Sequence, residues 1–204
     1  MRLIYAIFLL ITSTLFISNA NAYDVADVNL SEVVPANAER PELHLNGASL
    51  RELYLLIETY VGALYLEKPS SNPQEILDSE THKRMVFHVM MKKVGARRIA
   101  NALQEALVMN VTKEQHKQLA KEIEQMLSYF DGKMHRGEEA IFDYIPGKGT
   151  QITINNQVKG VIPGKDYYRA MLSIWIGDNP VGRTFKDDIL GLNREQKNTQ
   201  VAGQ

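Results

Sequence analysis

The chain has 204 residues and a mass of 23.1 kDa, enough for one domain of ordinary size or two very small ones. Its 45% hydrophobic and 23% charged residues are globular proportions and exclude a disordered chain. The 23 Lys and Arg against 24 Asp and Glu leave no overall electrostatic footprint for nucleic acid, and the lack of cysteine excludes a disulfide framework, a thiolate metal site and a cysteine nucleophile.

The first segment concerns address. Arg2 supplies a positive charge, Leu3 to Ile17 is apolar apart from Thr12, Ser13 and Thr14, and Ala20-Asn21-Ala22 is the small-x-small pattern of a signal peptidase site. A bilayer-spanning helix needs about 20 apolar residues, and this run is shorter. Residues 1–22 therefore read as a cleaved signal peptide, with no cysteine for lipid attachment. No second long apolar run follows, so the mature form is expected without a transmembrane span, exported to the periplasm of a Gram-negative host.

The mature chain divides into an arm at 23–42, a domain at 43–192 and a mobile polar tail at 193–204. The arm carries Pro35 and Pro41 and strand composition near Leu30 to Val34. Leu43 to Glu67, rich in Leu, Tyr, Val and Ile, predicts two strands and a bend, punctuated by Gly47 and Gly62. Asn72-Pro73 opens a short helix, with Asn as the cap and Pro at the first helical position. Lys83 to Met91 reads as a strand buried on both faces.

Ile99, Leu103, Ala106 and Leu107 recur at helical spacing, as do Leu119, Ile123, Met126, Leu127 and Phe130. Thr112 and Gln115 form a capping box for the second of these two helices. Ala140 to Ile145 and Gln151 to Ile154 are strands joined through Pro146-Gly147-Lys148-Gly149, and Asn155-Asn156 turns into Val158 to Ile162. Helices follow at Asp166 to Ile176, stopped by Gly177, and at Thr184 to Leu190. This order predicts an α+β domain with a mainly antiparallel sheet.

Few catalytic motifs survive inspection. Gly147-Lys148-Gly149-Thr150 lacks the upstream glycine of a phosphate loop, and Gly47-Ala48-Ser49 lacks the second glycine of a nucleophile elbow. The five histidines show no metal-ligand spacing. His88, inside an apolar strand beside Met90, reads as a satisfied histidine at a sheet surface or pocket wall, with an axial ligand to haem or another metal as the alternative.

Leu45-Asn46-Gly47-Ala48-Ser49-Leu50-Arg51, Tyr60-Val61-Gly62-Ala63-Leu64-Tyr65-Leu66-Glu67, Asp143-Tyr144-Ile145-Pro146-Gly147 and Ile174-Trp175-Ile176-Gly177 occur in an order and spacing that resemble the chalcone isomerase family, and more closely its exported bacterial branch. The similarity spans Leu43 to Gly191. It implies an open-faced sandwich, a large curved antiparallel sheet packed against helices with a ligand cleft between them. One fold hosts several functions, so the site decides. The resemblance places the family's catalytic arginine on Arg51. Its threonine falls on Tyr60, its helical tyrosine and asparagine near Arg98 and Glu105, and its late hydroxyl on Ile174. Four of five polar groups are changed, and stabilising a developing charge needs donors aimed at it. Chalcone isomerisation is therefore not expected.

Non-catalytic relatives of this fold bind fatty acids with the arginine and a tyrosine. By that resemblance the ligand site here is Arg51 with Tyr60 or Tyr65, and no cofactor is implied. Alternation along the strands puts Tyr65 on the side of Arg51, whereas the family alignment favours Tyr60. Leu53, Leu55, Phe87, Val89, Leu103, Leu107, Met171 and Trp175 are candidate cleft walls and would equally form a closed core. The expectation is an exported, non-catalytic binder of a small apolar carboxylate. A ligand-free structural or interaction domain, an enzyme of unknown reaction and a haem-binding protein are the alternatives.

Overall fold

The computed structural model describes residues 22–54 and 56–193. The predicted signal segment before Ala22, Leu55 and the tail beyond Asn193 lie outside them. Strands β1 (Ala22–Val25), β2 (Val28–Ser31) and β3 (Val33–Val34) build the arm; β4 (Leu43–Leu53) and β5 (Ile57–Leu66) form a long hairpin. Helix α1 (Pro73–Asp78) leads into β6 (Lys83–Val89) and the short β7 (Lys93–Gly95). Helices α2 (Ala96–Val108), α3 (Lys113–Gln118) and α4 (Ala120–Tyr129) precede β8 (Lys133–His135). The chain closes with β9 (Glu139–Ile145), β10 (Gly149–Ile154), β11 (Gln157–Pro163), α5 (Lys165–Ile176) and α6 (Arg183–Ile189).

The main sheet has seven antiparallel strands in the order β11-β10-β9-β6-β5-β4-β3. The architecture is α+β, an open-faced sandwich in which one sheet face carries the helices. Tyr60, Leu64, Met85, Phe87, Val89, Phe142 and Trp175 belong to that helix-side core. The opposite face is covered too: Leu30 and the partly buried Val25 and Val28 of the β1–β2 hairpin pack on Ala48, Val61, Ala63 and Val86. This second, smaller core explains why β6 shows no polar face.

Local signals account for most elements. The Asn72 side chain accepts from the amides of Gln74 and Glu75. Thr112 and Gln115 make the reciprocal capping box, at 3.1 Å and 2.8 Å. Asn155 and Asn156 take positive φ of 50° and 62°, as the two central residues of a tight hairpin turn require. The single helix expected after Thr112 is two helices, because Leu119 leaves helical geometry at ψ 9°. The ribbon of β7 and β8 is additional to the predicted elements.

The glycines of β4 and β5 are not punctuation. Both lie inside strands, and the bend falls between them, after Leu53 and before Ile57. A Cβ on Gly47 would stand 2.0 Å from the Asp188 carbonyl oxygen, and one on Gly62 would stand 2.6 Å from the Phe185 ring. These glycines let α6 lie against the sheet, the role of a strand glycine where another element approaches closely.

Candidate ligand groove around Arg51

The site is set by how β4 meets α6. An extra residue at Asn46 shifts the β4–β5 register, after which Gly47, Ser49 and Arg51 face α6 and Ala48 and Leu50 face the arm. Asn46 Nδ2 donates to the Ile189 carbonyl at 2.9 Å, and Ser49 Oγ donates to Asp188 Oδ2 at 2.7 Å. Arg51 is the next residue on this face. It lines an open groove of about 620 Å³ with Tyr23, Ser49, Arg183, Phe185 and Asp188. That volume lies in the range of small-molecule sites.

Arg51 donates through Nη1 to the carbonyl of Glu52 at 2.7 Å and pairs with no carboxylate among the described residues. Glu58, its nearest acidic candidate by sequence, is held by Arg136 at 3.0 Å instead. The Arg183 side chain, exposed on the same groove, makes no hydrogen bond or ion pair among the described residues. The groove thus presents two cationic forks beside three acids, Asp24, Glu52 and Asp188, the last engaged by Ser49 and by Asn193 at 2.6 Å. Unpaired guanidinium groups suit an anionic oxygen pair, because their donors are fixed in a planar fork.

The structure brings Tyr60 and Arg51 together and sends Tyr65 elsewhere. Arg51 is the direct cross-strand partner of Tyr60, so the two share a face. The Tyr60 hydroxyl accepts from Trp175 Nε1 at 3.0 Å, and its ring stacks on Phe87 at 4.0 Å. Burial pushes the Tyr60 hydroxyl well above its ordinary pKa, opposed by the Trp175 hydrogen bond and the Arg51 charge. It is therefore a neutral phenol at any physiological pH. Tyr65 opposes Leu45 and lies in the core under the arm. Counting along the chain misplaces the pair because alternation does not carry across a hairpin. Here Thr59 is an extra residue between the pairs Arg51–Tyr60 and Glu52–Glu58, its Oγ1 donating to the Arg51 carbonyl at 2.6 Å.

The expected cleft walls are in a different place. Phe87, Val89, Leu103, Leu107, Met171 and Trp175 are buried in the helix-side core, and none lines the groove. Leu53 is exposed at the hairpin end, and Leu55 lies outside the described residues. Phe185 links the two regions: it lines the groove and packs edge-on against Tyr60 with ring centres 5.7 Å apart. Arg98 and Glu105 are exposed on α2, and Ile174 is buried; none of the three reaches the groove. His88 faces the arm side, its Nδ1 2.9 Å from Glu139 Oε1, and no cluster of three or more metal-ligating side chains occurs among the described residues.

The groove residues from α6, Arg183, Phe185 and Asp188, have no motif in the sequence. The available signal is indirect: two glycines inside one hairpin, on strands otherwise rich in large side chains, mark a close approach.

A family model described as chalcone isomerase-like matches residues 22–191. The chain belongs to the chalcone isomerase-like family. The match takes in the arm, in keeping with the core that the arm buries on this family member's second sheet face. No curated protein matches the chain. Among solved structures, that of a fatty-acid binding protein from Arabidopsis thaliana matches with a TM-score of 0.65 at 16% identity, over 80% of this chain and 92% of that one.

Proposed function

We propose that this chalcone isomerase-like protein is a non-catalytic binding protein for a small apolar carboxylate, a fatty acid or similar acid, belonging to an exported bacterial branch of the family and working in the periplasm. The observation that carries the reading is the Arg51 guanidinium, which pairs with no carboxylate among the described residues and stands in register with Tyr60 beside an open groove. The Arabidopsis neighbour of the same fold, described as a fatty-acid binding protein, supports the ligand class. Four of the five polar positions that the family resemblance supplies are changed here, to Tyr60, Arg98, Glu105 and Ile174, which supports the lack of catalysis, since stabilising a developing oxyanion needs several aimed donors.

The test is extraction of the protein purified from its producing cell, with mass spectrometry of the released small molecules and titration with fatty acids of graded length. Recovery of an acyl acid and saturable binding are expected. A stereoselective flavanone product formed from chalcone well above the spontaneous rate would refute the non-catalytic reading. Export is read from Ala20-Asn21-Ala22, and N-terminal sequencing of the exported protein should begin at Tyr23. An intact Met1 in a membrane fraction would overturn it.

A ligand-free interaction domain is the second reading, favoured by one observation. The space between sheet and helices is filled by Tyr60, Phe87 and Trp175, which contact one another there.

A further inference from the structure

The end of the sheet where β4 turns into β5 carries two features that the groove does not use. The first is apolar. Leu53, Tyr54, Leu56 and Ile57 are 43%, 87%, 86% and 50% exposed, and Leu53 to Ile57 contains no charge. Side chains this bare at a hairpin tip stand clear of the body. Isolated exposed apolar residues are ordinary, whereas a contiguous cluster at a protruding tip marks contact with another phase or partner.

The second feature is basic. Residues 92–98 read Lys-Lys-Val-Gly-Ala-Arg-Arg, with four cations and no acid. Lys133 joins them because it opposes Gly95 across the β7–β8 ribbon. Lys92, Lys93, Arg97, Arg98 and Lys133 are exposed, and none of their side chains makes a hydrogen bond or ion pair among the described residues. Arg97 and Arg98 also occupy the first turn of α2, which has no acidic residue. Cations there oppose the helix dipole, so folding stability gives no reason for the cluster.

The two features share one end of the molecule. Tyr60 of β5 opposes Val89 of β6, the Met90 amide donates to the Thr59 carbonyl at 3.0 Å, and Glu58 beside the tip holds Arg136 just beyond β8 at 3.0 Å. The acids of this end are largely engaged, Glu58 and Asp27 by Arg136 and Glu139 by His88, leaving Asp131 and Glu52 to oppose the cluster. The whole chain has a formal charge of −1, so the basic surface is a local segregation of charge.

We infer that this end of the molecule docks on the surface of an anionic phospholipid bilayer, with Leu53, Tyr54, Leu56 and Ile57 at headgroup depth and the 92–98 cluster over the headgroups. A tyrosine and aliphatic side chains on one tip suit the interface, where apolar bodies and polar ends are both accommodated. One weak anchor binds marginally, and stable association takes a second signal, which the basic cluster supplies. Headgroup attraction decays over about 8 Å at physiological salt, so only cations that the tip brings to the surface contribute. The inference does not require the Arg51 groove to bind anything; if the groove does hold an acyl acid, docking sets its Glu52 side toward the lipid.

The chain has no cysteine, which allows single-cysteine labelling of the full protein. Leu56→Cys carries an environment-sensitive dye at the tip. Ser71→Cys, exposed beyond the opposite end of β5, carries it as the reference. Vesicles of phosphatidylcholine alone are compared with equal parts phosphatidylglycerol and phosphatidylcholine. A blue shift at Leu56 with the mixed vesicles only, and none at Ser71, is expected. High salt should reverse it, and Lys92→Glu with Lys93→Glu should weaken vesicle affinity at least about 10-fold. No shift at Leu56 with anionic vesicles, as a protein partner for the tip would give, overturns the inference. So does an equal shift at Ser71, or binding indifferent to charge reversal and salt, as insertion of the N-terminal apolar segment would give.

Discussion

Replacing Arg51 by Ala separates a binding role from a structural one, because the two carry different magnitudes. In the fold, the Arg51 side chain makes a single hydrogen bond, to the Glu52 carbonyl in its own hairpin, and has no ion-pair partner among the described residues. Losing that bond should cost about 1 kcal/mol of stability or less. A bound carboxylate would lose a charge-assisted interaction of about 1.5–3 kcal/mol, a 10-fold to 150-fold weakening. The methyl ester of the same acid should lose far less, since each buried methylene still contributes about 0.8 kcal/mol. Arg51→Lys should restore only part of the affinity, because an ammonium lacks the planar fork. Paired titrations of acid and ester on the wild type and both variants, with a urea melt of each, provide the measurement. Equal losses for acid and ester, or a collapse of stability in Arg51→Ala, would return Arg51 to a structural role. No binding of any acid to the wild type would reject the carrier function itself.

Gly47→Ala should lower stability by about 1–3 kcal/mol or more, read as a shifted urea midpoint, because the new methyl would meet the Asp188 and Ile189 carbonyl oxygens at 2.0 Å and 2.7 Å and α6 would have to move. An unchanged midpoint would contradict the seating of α6 on β4. The hydrogen bond from His88 holds the Glu139 carboxyl below its usual pKa, so the stability it contributes is present above about pH 4.3 and is lost as pH falls through the lowered value. Glu139→Gln should therefore be less stable than wild type at neutral pH and converge with it in acid; a constant difference across that window would refute the linkage.

Much of the fold is legible in the sequence because its signals are local. The Asn72-Pro73 helix start, the Thr112–Gln115 box and the Asn155-Asn156 turn each act within a few residues, and each forms where expected. The apolar spacing of α2 likewise sets its buried face, with Ile99, Leu103 and Leu107 inward. What resists reading depends on long-range register. The Tyr60–Arg51 pairing follows from one extra residue at Thr59, and that bulge carries no composition signal. Arg183 and Phe185 reach the groove only because α6 returns to a strand more than a hundred residues earlier in the chain. The double coverage of the sheet is intermediate: β6 announces it by having no polar face, but the arm that supplies the second layer reads as polar and proline-broken.

The filled interior and the open groove bear on one question, where the apolar part of a ligand would lie. Phe185 stands at the boundary, 4% exposed, against Tyr60 on one side and the groove on the other. Moving its ring aside exposes a phenylalanine whose burial contributes about 1.5–3 kcal/mol. Each ligand methylene taking its place returns about 0.8 kcal/mol, so about two to four methylenes offset the opening. Acids shorter than this should remain in the groove, held mainly by Arg51, with affinity nearly independent of length. Longer ones should displace Phe185 and gain affinity with every added methylene. Phe185→Ala removes the barrier and should abolish the threshold. A series of straight-chain acids titrated on wild type and Phe185→Ala decides the matter, because a site confined to the groove would give the same flat dependence in both.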